Sequence, residues 1–540
     1  MRVSDGLGLA AIFGFVACAA SGGDTASMEE NGPASAANQP APGDTGSSTL
    51  PTEPVAPPPA PADPADPETP PAPLVSGITV TDVAMFQAVR VPVVDDGALV
   101  KTSARKAPVV AKRPGMLRIY VKPDAGWKPG MVTAELRLVA GDKKFPIIRD
   151  TKAVTGASKE EDPKSTFNLE VPGDSLPEGV TFQVALTAPD GDATASTGTD
   201  ATARYPRGGG FESLGAEVSG KLRVVLVPVQ YDGDGSGRTP AVGAAQLEAY
   251  KKNMMRFFPA SDVELTAHAP LAFDSQISSN GNGFSSVLRA VTQLRQQDNV
   301  EKDVYYYGLL SPKASMAAYC GGGCVTGLSS IVDDPGSAGM RASVGIGFGD
   351  TVSANTMVHE IGHAHGRLHA PCGGPAGPDP KFPYSGGSIG VWGYDIFAKT
   401  LIAPTTGKDI MGYCRNEWIS DYTYNALFKR ISAISIAKSV APPYTAPTEA
   451  AHYRLATASG SGELTWDGDI DLDDDSVAGA PIHQAKFLEE SGAVVLSRAA
   501  RFFRFDHLPG GFVVVPKDAA VDAAKWKAVT IEGFTTTLAR

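Results

Sequence analysis

The chain has 540 residues, with 47 Lys and Arg against 59 Asp and Glu and a formal net charge of −12. That balance argues against a nucleic-acid partner and against a basic patch for a membrane surface. The length suits roughly three or four domains, and 59 Gly with 43 Pro over 20% charged residues point to loop-rich, β-rich ones.

The start reads as an export signal over 1–18. Arg2 is a thin positive end, and Leu7 to Ala17 is an apolar core too short for a permanent membrane span. Phe15-Val16-Ala17-Cys18 resembles a bacterial lipobox, in which the cysteine is lipidated. Phe in place of Leu at its first position, and Asp5 in the basic region, depart from that pattern. The expectation is a cell-surface or outer-membrane lipoprotein held through Cys18, with an ordinary secretion signal as the alternative. Residues 19–75 are Pro-, Ala- and Ser-rich, with almost no large apolar side chains to offset chain entropy, and read as a disordered tether.

Residues 76–208 look all-β. Ile78–Val83, Leu117–Val121, Thr133–Val139 and Thr181–Leu186 alternate apolar with polar residues between Gly, Pro and Asp, which predicts a β-sandwich whose role is not legible. Residues 215–437 read as a catalytic α/β domain, a twisted mixed sheet with helices. Leu222–Val229 and Val304–Leu310 are strands, Gln246–Phe258 and Phe284–Gln297 are helices, and Ser343–Phe348 is an edge strand suited to pairing with extended substrate. Asp232 to Arg238 resembles part of a calcium loop, but Gly243 stands where the bidentate Glu is needed, so a tight turn is the first reading and Ca2+ the second.

The most informative stretch is His359-Glu360-Ile361-Gly362-His363-Ala364-His365-Gly366-Arg367-Leu368-His369. Residues i and i+4 share a helix face, so His359 and His363 can hold one metal ion between two imidazoles. Glu360 then reaches a metal-bound water as general base. Gly366 permits a positive-φ exit from the helix, which swings His369 back as third ligand. Three neutral imidazoles leave an open corner, the layout of a catalytic zinc. Downstream, Asp409-Ile410-Met411-Gly412-Tyr413 resembles the methionine turn of the metzincins, a resemblance that implies Met411 as an apolar floor under the imidazoles. Tyr413 is a candidate to stabilise the oxyanion. His365 points to another side of the helix, and His268, His452, His483 and His507 read as ordinary surface or core residues.

Residues 445–540 look like a small β-rich domain with strands at Gly492–Ser497, Phe502–Phe505 and Gly511–Val515, and Asp467 to Asp475 reads as a solvated acidic loop. With Cys18 lipidated, Cys320, Cys324, Cys372 and Cys414 remain, and four cysteines allow three pairings. The favoured one is Cys372–Cys414 with Cys320–Cys324, because Cys372 and Cys414 each follow a predicted site residue by three positions.

The long histidine motif and the methionine turn resemble those of the metzincins, and Met411-x-Tyr413 resembles the arrangement in astacins and serralysins. His369-Ala-Pro-Cys-Gly373, Gly386 to Asp395, Asp409 to Cys414 and Trp418 to Tyr422 further resemble the StcE/dictomallein-type secreted zinc metallopeptidases. The resemblance implies a metzincin-like catalytic domain with one Zn2+ that cuts extracellular proteins, O-glycosylated mucin-like ones among them. It covers the catalytic domain and not the flanking β-domains. The expectation is a multidomain, monomeric zinc endopeptidase, secreted or surface-tethered. The competing readings are a lipid-anchored adhesion protein whose zinc domain is a minor activity, and a protease that mainly processes itself.

Overall fold

The computed structural model describes residues 73–189, 197–198, 201–440, 451–472, 477 and 479–540. The expected signal segment, the lipidation candidate Cys18 and nearly all of the tether lie outside the described residues. Among the described residues no helix is long and apolar enough to cross a membrane. The chain is mostly β, with several sheets and six α-helices among the described residues.

The first unit is a pair of antiparallel sheets. One contains Ile78–Phe86, Arg90–Asp95, Gly115–Pro123 and Phe167–Val171. The other is built around Gly130–Ala140, Ile148–Val154 and Thr181–Thr187. Period-two alternation sends Phe167, Leu169 and Val171 inward from one sheet and Val132, Leu136 and Phe182 from the other, into one core.

The second unit is a mixed sheet in the order Asp262–Ala267, Lys221–Tyr231, Val304–Leu310, Ala342–Ile346 and Gly327–Ser329. The first four strands run parallel, as crossover helices require. Helices α1 (Ala244–Phe257) and α2 (Phe284–Gln297) are followed by the single turn α3 (Met316–Tyr319), then α4 (Thr351–Ala364) and α5 (Asp421–Val440). Strand Val304–Leu310 is buried along its whole length. Its Tyr305, Tyr307 and Leu309 enter the core that holds α1 and α4, and its Val304, Tyr306 and Leu310 enter the one that holds α2.

Ala342–Ile346 is not the edge strand that its position in the chain suggested. Gly327–Ser329 pairs antiparallel outside it. Three residues beginning with Gly are too few to show a strand period, which is why this edge is invisible in the sequence. The edge is also partly covered: Ile331 N–H donates to the Arg504 carbonyl (3.0 Å) and Asp506 N–H to the Ser329 carbonyl (3.2 Å).

The third unit is a seven-stranded antiparallel sheet over Ala451–Ala539, with helix α6 (Ala519–Ala523) beside it. The runs Gly492–Ser497 and Phe502–Phe505 are not two strands: Val494–Arg504 is continuous, since Arg498 to Arg501 contain no breaker. Asp467, Asp469 and Asp471 lie in the strand Leu464–Leu472 rather than in a loop, and Asp473 to Asp475 lie outside the described residues.

The first two units share a continuous core. The wholly buried Arg113 donates to the carbonyls of Gln87 (3.1 Å), Phe258 (2.8 Å) and Met255. Trp418 Nε1 donates to the Ala88 carbonyl at 2.8 Å and Tyr424 Oη to the Gln87 carbonyl at 3.0 Å. In the 232–238 loop, Asp232 Oδ1 accepts from Gly237 N–H (3.1 Å) and Asp234 pairs with Arg238, so its acidic groups close the turn itself.

Candidate metal centre and active site

Helix α4 begins where Asp350 accepts from the Ser353 backbone N–H at 2.8 Å, a side-chain N-cap. It ends at Ala364, and two residues on Gly366 takes a φ of 78°, open to glycine at no steric cost. The chain then returns along the helix, and His369 joins His359 and His363. Nε2 of His363 lies 3.0 Å from Nε2 of His359 and 3.2 Å from Nε2 of His369.

Each ring is fixed from behind. Nδ1 of His359 donates to the Ile410 carbonyl (2.7 Å), that of His363 to Arg367 (2.6 Å) and that of His369 to Ala376 (2.9 Å). A neutral imidazole has one N–H, so all three Nε2 atoms present bare lone pairs to one point. Burial holds the His359 and His363 pKa values well below normal, and that of His369 at about 4, with the neighbouring imidazoles adding to the effect. Converging lone pairs repel unless a cation sits among them. Ligand nitrogens about 2.0–2.1 Å from a tetrahedral zinc lie roughly 3.3–3.4 Å apart, so the trio fits such an ion within a few tenths of an ångström.

The floor is built by the 409–414 turn. The buried Asp409 carboxylate accepts from the backbone N–H of Met411 (2.9 Å) and of Ser420 (3.0 Å), which fixes the turn. Met411 is buried directly against Gly362, where an added Cβ would meet its Sδ at 2.6 Å. The two disulfides are Cys320–Cys324 and Cys372–Cys414. The second ties the segment after His369 to the segment after Met411, beside the pairing of Tyr413 N–H with the Cys372 carbonyl (2.8 Å). Tyr413 is thereby placed with its hydroxyl 3.0 Å from Nε2 of His369.

Glu360 is buried under the edge strand, so close to Gly327 that a Cβ there would stand 2.3 Å from Oε1. Neither of its carboxylate oxygens has a hydrogen bond of good geometry. Burial, then the adjacent Asp506 carboxylate, pushes the Glu360 pKa well above the usual range. Burial also acts to raise the Asp506 pKa, but the adjacent His507 imidazole acts against it, and the carboxyl is held below its usual range.

Asp506 and His507 were not legible as site residues. The expectation that His507 is an ordinary surface or core histidine is corrected: its Nε2 lies 2.9 Å from Glu360 Oε1, and its Nδ1 meets the Tyr413 hydroxyl. The Asp506 Oδ2 atom is 3.4 Å from Nε2 of His363. No spacing rule connects these residues to the motif, because sheet pairing between two units brings them in. The one hint was a polar Asp-His pair ending an apolar strand. His365 stacks on Tyr305 at 4.2 Å and donates to its own helix, away from the trio. His268, His452 and His483 bond elsewhere, to Ala269, Asp471 and Glu532.

A cavity of about 420 Å³ opens over this cluster. Its lining includes Thr326, Asn355, His359, Glu360, Tyr413 and His507. A buried carboxylate, a phenol and the His359 ring thus line the cavity beside the convergent lone pairs, a set able to hold a metal ion. A search of curated proteins returned no match to the chain. Residues 242–433, which carry the histidine trio, Glu360, Met411 and Tyr413 but not Asp506 or His507, match the model of the family Peptidase M66, and this segment is therefore a peptidase domain with a buried cluster able to hold a metal ion.

Proposed function

We propose that the chain is a zinc endopeptidase of metzincin type that acts on extracellular proteins, O-glycosylated ones included, from a lipid anchor at Cys18. The observation that carries the peptidase reading is the convergence of three bare Nε2 atoms beside a buried, unsatisfied carboxylate inside the segment that matches a peptidase family. His359, His363 and His369 would hold the ion, which supplies a Lewis acid, lowers the pKa of a bound water and favours ionised Glu360.

Glu360 takes the proton of the attacking water and passes it to the leaving amine. The Tyr413 hydroxyl donates to the oxygen of the scissile carbonyl as charge builds there. The carbonyls of Ile410, Arg367 and Ala376 keep the three rings in one tautomer throughout.

The test is cleavage of casein and of a mucin-like glycoprotein with and without chelator, with metal analysis. Wild type should bind one zinc and cut in a chelator-sensitive way. Glu360→Ala should keep the zinc and lose turnover by about 10²-fold or more. Near-normal cleavage by that variant would remove Glu360 from the role of base, and a folded wild type without zinc would end the reading altogether.

A further inference from the structure

His507 stands on both residues assigned to the chemistry, yet it comes from the C-terminal sheet, outside the segment that matches the peptidase family. Its ring lies flat on Tyr413, with centroids 5.3 Å apart and planes at 14°. Its Nδ1 meets the Tyr413 hydroxyl, and its Nε2 lies 2.9 Å from Glu360 Oε1.

The ring is held in place by main chain. Asp506 Oδ1 accepts from the backbone N–H of its own neighbour His507 (2.7 Å) and of Ser329 (3.0 Å). The Arg504–Asp506 segment pairs with Ser329–Ile331, continuous with Gly327, against which Glu360 packs. The same few backbone hydrogen bonds thus set His507 and the strand that confines the base.

We propose that His507 is a positioning residue of the peptidase, bridging Glu360 and Tyr413, and that the C-terminal β-unit is in this way part of the active site. A neutral imidazole that donates from Nε2 to the Glu360 carboxylate accepts at Nδ1 the hydrogen of the Tyr413 hydroxyl. The base is then oriented toward the water, and the phenol is parked until the substrate carbonyl draws it away. Nδ1 is engaged by the Tyr413 hydroxyl and Nε2 lies 2.9 Å from Glu360 Oε1, off the line of a hydrogen bond, which sets bridging against a fourth bond to the ion, since one ring nitrogen also lies within 4.8 Å of the ligand nitrogens of the other three imidazoles. This inference rests on the peptidase reading above.

The test uses the full chain as wild type, His507→Phe, His507→Gln, Tyr413→Phe and the Tyr413→Phe/His507→Phe double variant. Zinc content, thermal melting, kcat and KM are measured on a peptide that the wild type cleaves. Phe keeps the ring stack and loses both nitrogens. It should retain zinc and melting temperature and lower kcat about 10²-fold with KM changed by less than about twofold. Gln, which keeps a donor and an acceptor, should recover part of that loss. The His507→Phe loss should shrink when Tyr413 is already Phe, because the ring acts through it.

Wild-type kcat in His507→Phe would overturn the proposal. A rise in kcat would overturn it in favour of an obstructing fourth ligand, and zinc loss in step with activity would reduce the ring to a ligand. If the Phe variant does not fold, the same cycle on His507→Gln decides. A wild type without chelator-sensitive cleavage would instead sink the peptidase reading and leave this test without an object, so the two failures are distinct.

Discussion

A carboxylate that is to act as a base, the role proposed for Glu360, is useful only if it is confined, and here the missing methyl group of Gly327 lets the strand close on it. Gly327 lies so close to Glu360 that Cβ would stand 2.3 Å from Oε1 and 2.6 Å from the carbons behind it. Substitution must move strand or base, and overpacking of this kind costs about 1–3 kcal/mol. Gly327→Ala should therefore fold and bind zinc, yet lose turnover at least about tenfold, since sub-ångström displacement of a base is costly in rate. Steady-state kinetics beside metal analysis check this; unchanged kcat would show that the carboxylate has room to spare. The clustered His359, His363 and His369 and the buried Glu360 were legible because their spacing is local, set by the helix period and by the turn at Gly366. Gly327 and His507 were not, because neither owes its place to a near neighbour in the chain.

Elements show the same division. Helices α1 and α2 and the strand Val304–Leu310 were readable from periodicity, within two residues at each end. The Gly327–Ser329 edge was not, and the continuous strand Val494–Arg504 was broken in two by an apolar count that dips at Ser497 to Arg501. The turn beneath the trio was readable because Asp409, Met411 and Tyr413 each carry a distinct chemistry. Its clamp is the Cys372–Cys414 disulfide, which spans 42 residues of sequence. Closing a loop of that size stabilises the fold by about 2–4 kcal/mol. Replacing both cysteines with Ser should lower the melting temperature and free the Tyr413 segment, so kcat falls while zinc stays bound. Equal melting curves for the two proteins would contradict this.

At the scale of the molecule, the β-sandwich is fused to the peptidase unit rather than strung beside it. From full burial Arg113 donates across the boundary to the carbonyls of Phe258, Ala260 and Met255. Arg113→Met would leave those acceptors dry and unpaired, at a cost of about 3–5 kcal/mol. Denaturant melting should show one shared transition shifted to lower concentration. Two independent transitions, with only one displaced, would mean the units stand alone.

The covered stretch of sheet edge at Ser329–Ile331 carries a consequence for timing. His507 lies 94 residues downstream of Tyr413, and it arrives only when the strand before it docks. A chain emerging from the ribosome can thus fold its histidine trio well before the cleft is furnished. On the proposed roles of Glu360, Tyr413 and His507, hydrolytic power would be withheld from the half-made protein, and a nick that detaches the C-terminal sheet would switch it off while leaving His359, His363 and His369 in place.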